Sequence, residues 1–309
     1  MQDKLAIGVD VGGSHIVSAA VNLNTFEILP KTTFSVKINN KASKDVILKD
    51  WSMAINKTIE SASMYDKANI GFAIPGPFNY SKGIAMFEGG NDKYESLYKV
   101  SIPDELPNYI NSDKVNLRFL NDATSFGVGV STQGKAKNYK RVIVVTLGTG
   151  FGSAFIKDGV PQVNTKEVPK GGCLWDKPFK SGISDDYFST RWCIDRYHGL
   201  SSELVKGVKE IAEANNDYSK TVFNEFGSNM TEFMIPFIKK FQPGIIVMGG
   251  NISKASHLFL PSFENKLQKA GLKVDFEIST LMEDAAIIGS AKLFDPIFWG
   301  LIKDDLPDL

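Results

Sequence analysis

The sequence predicts an α/β protein built from two related lobes, and three observations carry that prediction. At 309 residues the chain exceeds what a single hydrophobic core usually organises. Apolar runs of strand character alternate with stretches of helical periodicity along its whole length. One pattern also occurs twice: "IGVDVGGSHIVSAAVN" aligns with "VVTLGTGFGSAFIKDG" so that Asp10 faces Thr146, Gly12 faces Gly148 and Gly13 faces Thr149. Each copy reads as apolar strand, polar glycine turn, apolar strand, and a duplicated unit of that kind implies two lobes of shared design.

Taken in order, "LAIGVDVG", "HIVSAAVNL" and "FEILPKTTFSVKI" predict an antiparallel meander. "KDVILKDWSMAINKTIESAS" then turns helical, with Ile47, Trp51, Ile55 and Ile59 stacked on one face. "ANIGFAIPGPF" is a strand stopped by Pro75, Gly76 and Pro77, and "VNLRFLND" is a strand that runs into a helix at "ATSFGVGVS". After residue 140 the series restarts with strand "RVIVVTL", turn "GTG" and strand "FGSAFIKDG". Three helical stretches follow between about residues 185 and 241. Strand "GIIVMGG", a helix near "SHLFLPSFENKLQKA", strand "KVDFEIS" and helix "DAAIIGSAKLF" complete the chain. The expected division is residues 1–122 for the first lobe and 123–283 for the second, with a C-terminal helix over about 284–309 packing back on the first.

Composition narrows the function. Lys+Arg and Asp+Glu both number 35, so the chain lacks the basic footprint of a nucleic-acid binder. Cys173 and Cys193 are its two cysteines, too few for a disulfide framework and in keeping with a reduced cytoplasmic chain. No apolar run approaches the ~20 residues of a membrane span. Asp10 interrupts the first apolar run, which reads as a strand and not as a signal peptide.

Each glycine-rich segment has a plain reading and a chemical one. "DVGGS" is a tight hairpin turn, or a turn whose bare amides approach a polyphosphate while Asp10 holds the accompanying Mg²⁺. "FQPGIIVMGGNIS" is a buried strand capped by a turn, or a place where Gly249 and Gly250 let a nucleoside lie on bare backbone. In "FLNDATSFG", Asp122 is the N-cap of a helix, or the base that accepts a proton from an attacking hydroxyl; both can hold together. Two amide nests facing across a cleft would hold opposite ends of one triphosphate.

In this order the segments resemble the ROK family of sugar kinases, within the actin-like, hexokinase-like ATPase superfamily, and the resemblance covers most of the chain. "DVGGSH" is similar to the family's first phosphate motif, "PGPFNYSKGIAMFEGGNDKYESLY" to its sugar-side segment and "LNDATSFGVG" to its catalytic Asn-Asp helix. "LGTGFGSAFIKDG" is similar to the second phosphate motif and "PGIIVMGGNIS" to the adenosine motif. The resemblance implies two ribonuclease-H-like lobes around a cleft and phosphorylation of a hexose or hexose derivative by MgATP. It assigns Mg²⁺ to Asp10 through water, and the nucleotide phosphates to Gly12, Gly13, Ser14, Thr146, Gly148, Thr149 and Gly150, with Gly249 and Gly250 beside the adenosine. Asn91, Asn121 and Asp122 fall to the sugar, with Asp122 as base.

The departures from the family pattern are local. Typical members carry Glu-x-Gly-His and a cysteine run that bind a structural zinc, where this chain reads "VNTKEVPKGGCLWDKPFKSGISDDYFSTR", so no zinc is expected. Polyphosphate-type glucokinases also lack the cysteine run, which leaves polyphosphate open as donor beside ATP. "NTKEVPKG" resembles a distorted copy of their version, with Glu167 in the sugar-binding glutamate's place. "DDYFS" resembles the family's Glu-x-Tyr-x-Ser, with Asp185 either contacting the sugar or merely starting a helix. Two other functions stay in view. A sugar-responsive regulator needs a DNA-binding segment ahead of the first motif, which here begins within ten residues of Met1. A non-catalytic sugar or nucleotide binder would be a kinase degenerated at the altered segment. The family often dimerises, and the aromatic tail "FDPIFWGLI" reads as cover for a partner or for its own lobe.

Overall fold

Ile7, Val9 and Val11 point to one side of the first strand and Ala6 and Gly8 to the other, and this alternation sets the layering of the first lobe. The computed structural model describes residues 4–89 and 93–306. Strands β1 (Leu5–Val11) and β2 (His15–Asn22) form an antiparallel hairpin, with Val11 opposite Ile16. Strand β3 (Phe34–Lys37) joins β2, while β4 (Ala68–Ile74) and β5 (Val115–Asn121) add in parallel on the other side of β1. The sheet order is therefore β3-β2-β1-β4-β5. The predicted meander is present but shorter in its third member. Pro30 cannot donate to a ladder, and Ile28 makes only an isolated bridge to Val21. Helix α1 (Lys44–Ala62) covers one face of this sheet with Ile47, Trp51, Ile55 and Ile59, all fully buried.

The second lobe repeats the plan. Strands β6 (Arg141–Leu147), β7 (Phe151–Lys157) and β8 (Val160–Pro161) are successively antiparallel, and β9 (Ile245–Gly249) and β10 (Asp275–Ile278) add in parallel, giving β8-β7-β6-β9-β10. The echo read from the sequence is a structural equivalence. Asp10 sits opposite Val17 on β2 and Ala73 on β4, and Thr146 sits opposite Gly152 on β7 and Gly249 on β9. Helix α2 (Asp122–Thr132) links the lobes and lies on the Val142, Val144, Ala154 and Ile156 face of the second sheet. The opposite face carries Ile143, Val145, Leu147 and Phe155. It is covered by α3 (Thr190–Ser201), α4 (Val208–Ala214), α5 (Asp217–Phe241) and α6 (Ser256–Lys269), whose Phe223, Phe226, Phe233, Phe241, Phe259 and Phe263 fill the core.

Helix α7 (Glu283–Ala291) returns to the first sheet and closes its second face, where Ile287 and Ala291 meet Ala6, Val17, Ala19 and Val21. It also crosses α2. A Cβ on Gly129 of α2 would lie 1.8 Å from the Ala285 carbonyl oxygen, and one on Gly289 of α7 would lie 1.9 Å from that of Ser125. Gly8 of β1 and Gly71 of β4 meet the Ile287 and Ser290 carbonyls as closely, at 2.0 and 1.9 Å. Glycine at these four places is what lets α7 lie in backbone contact with both lobes. Helix α8 (Pro296–Ile302) follows, burying Phe298 and Ile302 beside Leu120, Phe126 and Val142 while Ile297 and Leu301 stay exposed. The aromatic tail thus covers its own lobes and still presents an apolar edge. Among the described residues no single helix is long and apolar enough to cross a membrane.

Candidate active site

The parallel strands β1 and β5 end on the same edge of the first sheet, which brings Asp10 and Asp122 together. Burial, followed by the negative charges of Asp122 and Glu283, pushes the Asp10 carboxyl up to about 8. Burial likewise raises Asp122, opposed by the Ala123 N–H that it accepts at 2.8 Å and by the positive charge of Lys93. Asp122 thus has a cation near it, whereas every charge acting on Asp10 is negative. A divalent cation would relieve that repulsion, so the donor set suits one. Among the described residues no three His, Cys, Asp or Glu side chains could chelate a metal directly. Such an ion would therefore rest on Asp10, water and ligand oxygens, the usual arrangement for Mg²⁺ with a nucleotide.

The residue that caps α2 is Asn121, not Asp122. Its Oδ1 accepts from the Thr124 N–H at 3.1 Å and the Thr124 hydroxyl at 3.3 Å, and its Nδ2 donates to the Tyr80 hydroxyl at 3.2 Å. The Tyr80 hydroxyl in turn donates to the Ile74 carbonyl at 3.0 Å, so Asn121 is held from both sides. Adjacent Asn and Asp are equally good caps, and only the turn geometry decides between them. Relieved of that task, the Asp122 carboxylate accepts from the Ala123 N–H and from the Asn121 side chain that lies beside it.

The two glycine turns are each closed by the N–H of their first glycine, though on different partners. In the first, Gly12 N–H closes the hairpin on the His15 carbonyl at 2.9 Å; in the second, Gly148 N–H bonds the Gly150 carbonyl at 3.1 Å. The carbonyls behind each turn are tied down from outside. Tyr94 Oη donates to Gly12 O, Asn40 Nδ2 donates to Gly13 O at 2.6 Å, and Thr190 donates to Gly148 O through its N–H and its hydroxyl. The N–H groups of Gly13 and Ser14, and of Thr149 and Gly150, bond no protein acceptor among the described residues. Each turn therefore presents two free donors, which is an anion nest. The hairpin reading and the phosphate reading describe the same atoms. Gly12, Gly13 and Gly148 all have ordinary φ, so room and not backbone conformation is what glycine supplies there: a Cβ on Gly12 would stand 3.1 Å from the His15 carbonyl oxygen, whereas around Gly148 a Cβ would meet nothing within 4 Å. Thr146 faces Gly152 so closely that a Cβ on Gly152 would lie 2.2 Å from the threonine hydroxyl and 2.9 Å from Ala123 Cβ, which sets the second nest beside Asp122.

Other expected site residues lie elsewhere or act differently. Glu167 is drawn away from the cleft. It pairs with Arg141 at 3.0 Å and Lys157 at 3.8 Å, at the end of the β6–β7 hairpin remote from the glycine turn. Asp185 buttresses the second glycine turn: its carboxylate accepts from the Phe151 N–H at 2.6 Å, beside Gly150, and faces Arg191 at 3.7 Å. On its Cβ side Gly249 is packed from within, since a Cβ there would lie 2.5 Å from the Phe126 ring. Gly250 has φ 82° and closes on the Leu147 carbonyl. Asn91 falls outside the described residues.

Several neighbours escaped the sequence reading. His15 Nε2 meets Glu283 Oε1 at 3.2 Å and its Nδ1 meets Ser14 Oγ at 3.2 Å, which ties the first nest to the start of α7. Lys93 lies against the same nest, its Cε 3.4 Å from where a Cβ on Gly13 would stand. His15 adjoins a motif and was visible in principle. Glu283, 268 residues away, carried no signal in the sequence.

Comparison with known proteins places the chain among sugar kinases by sequence and fold. The sequence profile of the ROK family matches residues 6–165. The chain is 24% identical to a glucokinase of Thermotoga maritima over 93% of this chain and 96% of that one. It is 22% identical to a polyphosphate glucokinase of Mycobacterium leprae over 92% of this chain and 72% of that one. Among solved structures it resembles a ROK family glucokinase from Streptomyces griseus in complex with glucose and AMPPNP, with a TM-score of 0.69, 19% identity, and coverage of 94% of this chain and 99% of that one. That likeness shows the fold, the two-lobed actin-like ATPase architecture.

Proposed function

The chain belongs to the ROK family, and from that premise we propose that it transfers a phosphoryl group from a nucleoside triphosphate to a hydroxyl of a hexose or hexose derivative. One observation carries this reading: each of two equivalent turns, one per lobe, leaves a pair of backbone donors free, and Asp122 beside them is not the cap of its helix. Gly13 and Ser14 from one lobe and Thr149 and Gly150 from the other bind phosphate oxygens. The sugar lies against Asn121 and Asp122, with Asn91 as a further contact. Its hydroxyl oxygen attacks the terminal phosphorus, its proton passes to Asp122, and the bond to the bridging oxygen breaks to release the diphosphate. Mg²⁺, when bound through water at Asp10, neutralises charge on the phosphates. The nests and the closed cleft supply orientation and exclude water, and the base contributes about 10²–10⁴-fold.

The relatives named glucokinase and polyphosphate glucokinase support a hexose acceptor and leave the donor to be measured. On this reading the lobes divide at residues 122 and 123, with α7 belonging to the first, and the exposed Ile297 and Leu301 are where a second copy would dock. The deciding experiment measures diphosphate release over hexoses, amino sugars and N-acetylated sugars, with ATP and then polyphosphate as donor. Turnover with one sugar class supports the proposal. Tight binding of sugar and nucleotide without turnover on any pairing overturns it.

A further inference from the structure

At the far end of the first sheet from the glycine turns, a cavity of about 790 Å³ opens between β4, β5 and helix α8. Six residues of strand separate Val115 on its wall from Asn121 at the cleft, about 20 Å at the usual rise. Lys67, Arg118 and Lys303 line the cavity, and no Asp or Glu does. In a chain whose charges balance overall, this is a local excess of cations, offset in part by the exposed Asp304 carboxylate 3.8 Å from Lys303 Nζ.

Arg118 differs from the other arginines of the chain. Arg141, Arg191 and Arg196 each pair with a carboxylate: Glu167, Asp185 and Glu225 respectively. Arg118 has no carboxylate partner among the described residues. Its guanidinium donates to the Leu293 carbonyl and stacks on Phe294 at 4.7 Å and Trp299 at 4.1 Å, which fixes its plane and leaves its other N–H groups for a ligand. On the same wall Asn116 donates to Asn69 Oδ1 at 3.1 Å, leaving the Asn116 carbonyl and the Asn69 amide to bond hydroxyls.

We propose that this cavity is a second binding site, distinct from the cleft, for the phosphate monoester of a hydroxyl-rich small molecule. A monoester carries about −1.5 to −2 charges near neutrality, which two lysines and a held guanidinium match better than a carboxylate would. The asparagine pair and the Trp299 face are what inorganic phosphate cannot use. The site rests on these contacts and stands whether or not the chain turns over.

Isothermal titration tests it, with the catalytic cleft first filled by glucose and a non-hydrolysable ATP analogue. Hexose 6-phosphate should bind this full-length protein at one further site, about tenfold more tightly than inorganic phosphate. Lys67→Glu with Lys303→Glu, both at exposed positions, should weaken that binding by about tenfold or more while the KM values for sugar and nucleotide hold within about twofold. Trp299→Phe should remove the change in tryptophan fluorescence on binding. No heat from either phosphate, equal affinity for both, or a charge-reversed variant that binds as the parent does would each overturn the proposal.

Discussion

Replacing Asp10 by Asn should move stability and activity in opposite directions. The buried carboxyl titrates near 8 in the folded protein against 3.8 ordinarily, so the folded state holds its proton more tightly than the unfolded state does. Its contribution to stability is complete below about pH 4 and is lost as pH climbs towards 8. Each unit inside that window costs up to about 1.4 kcal/mol, or about 3 kcal/mol between pH 5 and 7. Relaxation and water entry around a buried charge reduce that figure, and ~1–2 kcal/mol remains. In a chain of this size that is a Tm difference of about 2–4 °C. Thermal melts in EDTA at pH 5, 6, 7 and 8 should therefore show the parent losing stability with rising pH faster than Asp10→Asn, which matches or exceeds the parent at pH 8. Adding Mg²⁺ and nucleotide should reverse the order, and kcat/KM of the variant should fall by at least ~10²-fold. Parallel pH profiles for parent and variant would refute the account of why Asp10 is strained and what relieves it.

Asp122→Asn should melt within a few degrees of the parent, because the cap of α2 is Asn121, and should still bind sugar; its kcat should drop by at least ~10²-fold in a steady-state assay. Gly148→Val should raise the nucleotide KM by about tenfold or more and leave the sugar KM and Tm nearly unchanged, since the added side chain enters open space where the phosphates belong. Gly129→Ala should instead cost about 3 kcal/mol or more in urea denaturation, because its Cβ would stand 1.8 Å from the Ala285 carbonyl and must drive α2 and α7 apart.

The elements that could be read beforehand are those whose signal is periodic and local. The alternation in β1 and β6 and the fourfold stack of Ile47, Trp51, Ile55 and Ile59 specify strand and helix within a few residues of themselves. The glycine turns and Asp122 were legible for the same reason. The altered segment was not, because its side chains answer to distant partners. Glu167 follows the guanidinium of Arg141, and Asp185 follows an unpaired N–H at Phe151, 34 residues away. A glutamate matched by position to a sugar ligand is still free to prefer an arginine. Gly249 teaches a related lesson, since its missing side chain makes room for Phe126, a packing demand that the sequence pattern did not show.

The place of α7 also bears on how the chain comes to be folded. One face of the first sheet, with Ala6, Val17, Ala19 and Val21, is closed by Ile287 and Ala291. During synthesis those covering residues leave the ribosome last, after the whole second lobe. The β1–β2 hairpin must wait through nearly the entire translation with half of its apolar surface uncovered, a state in which nascent chains recruit chaperones or aggregate. A fragment ending at residue 122 inherits that deficit permanently. The first-made half of the protein is therefore completed only by residues made after the second lobe.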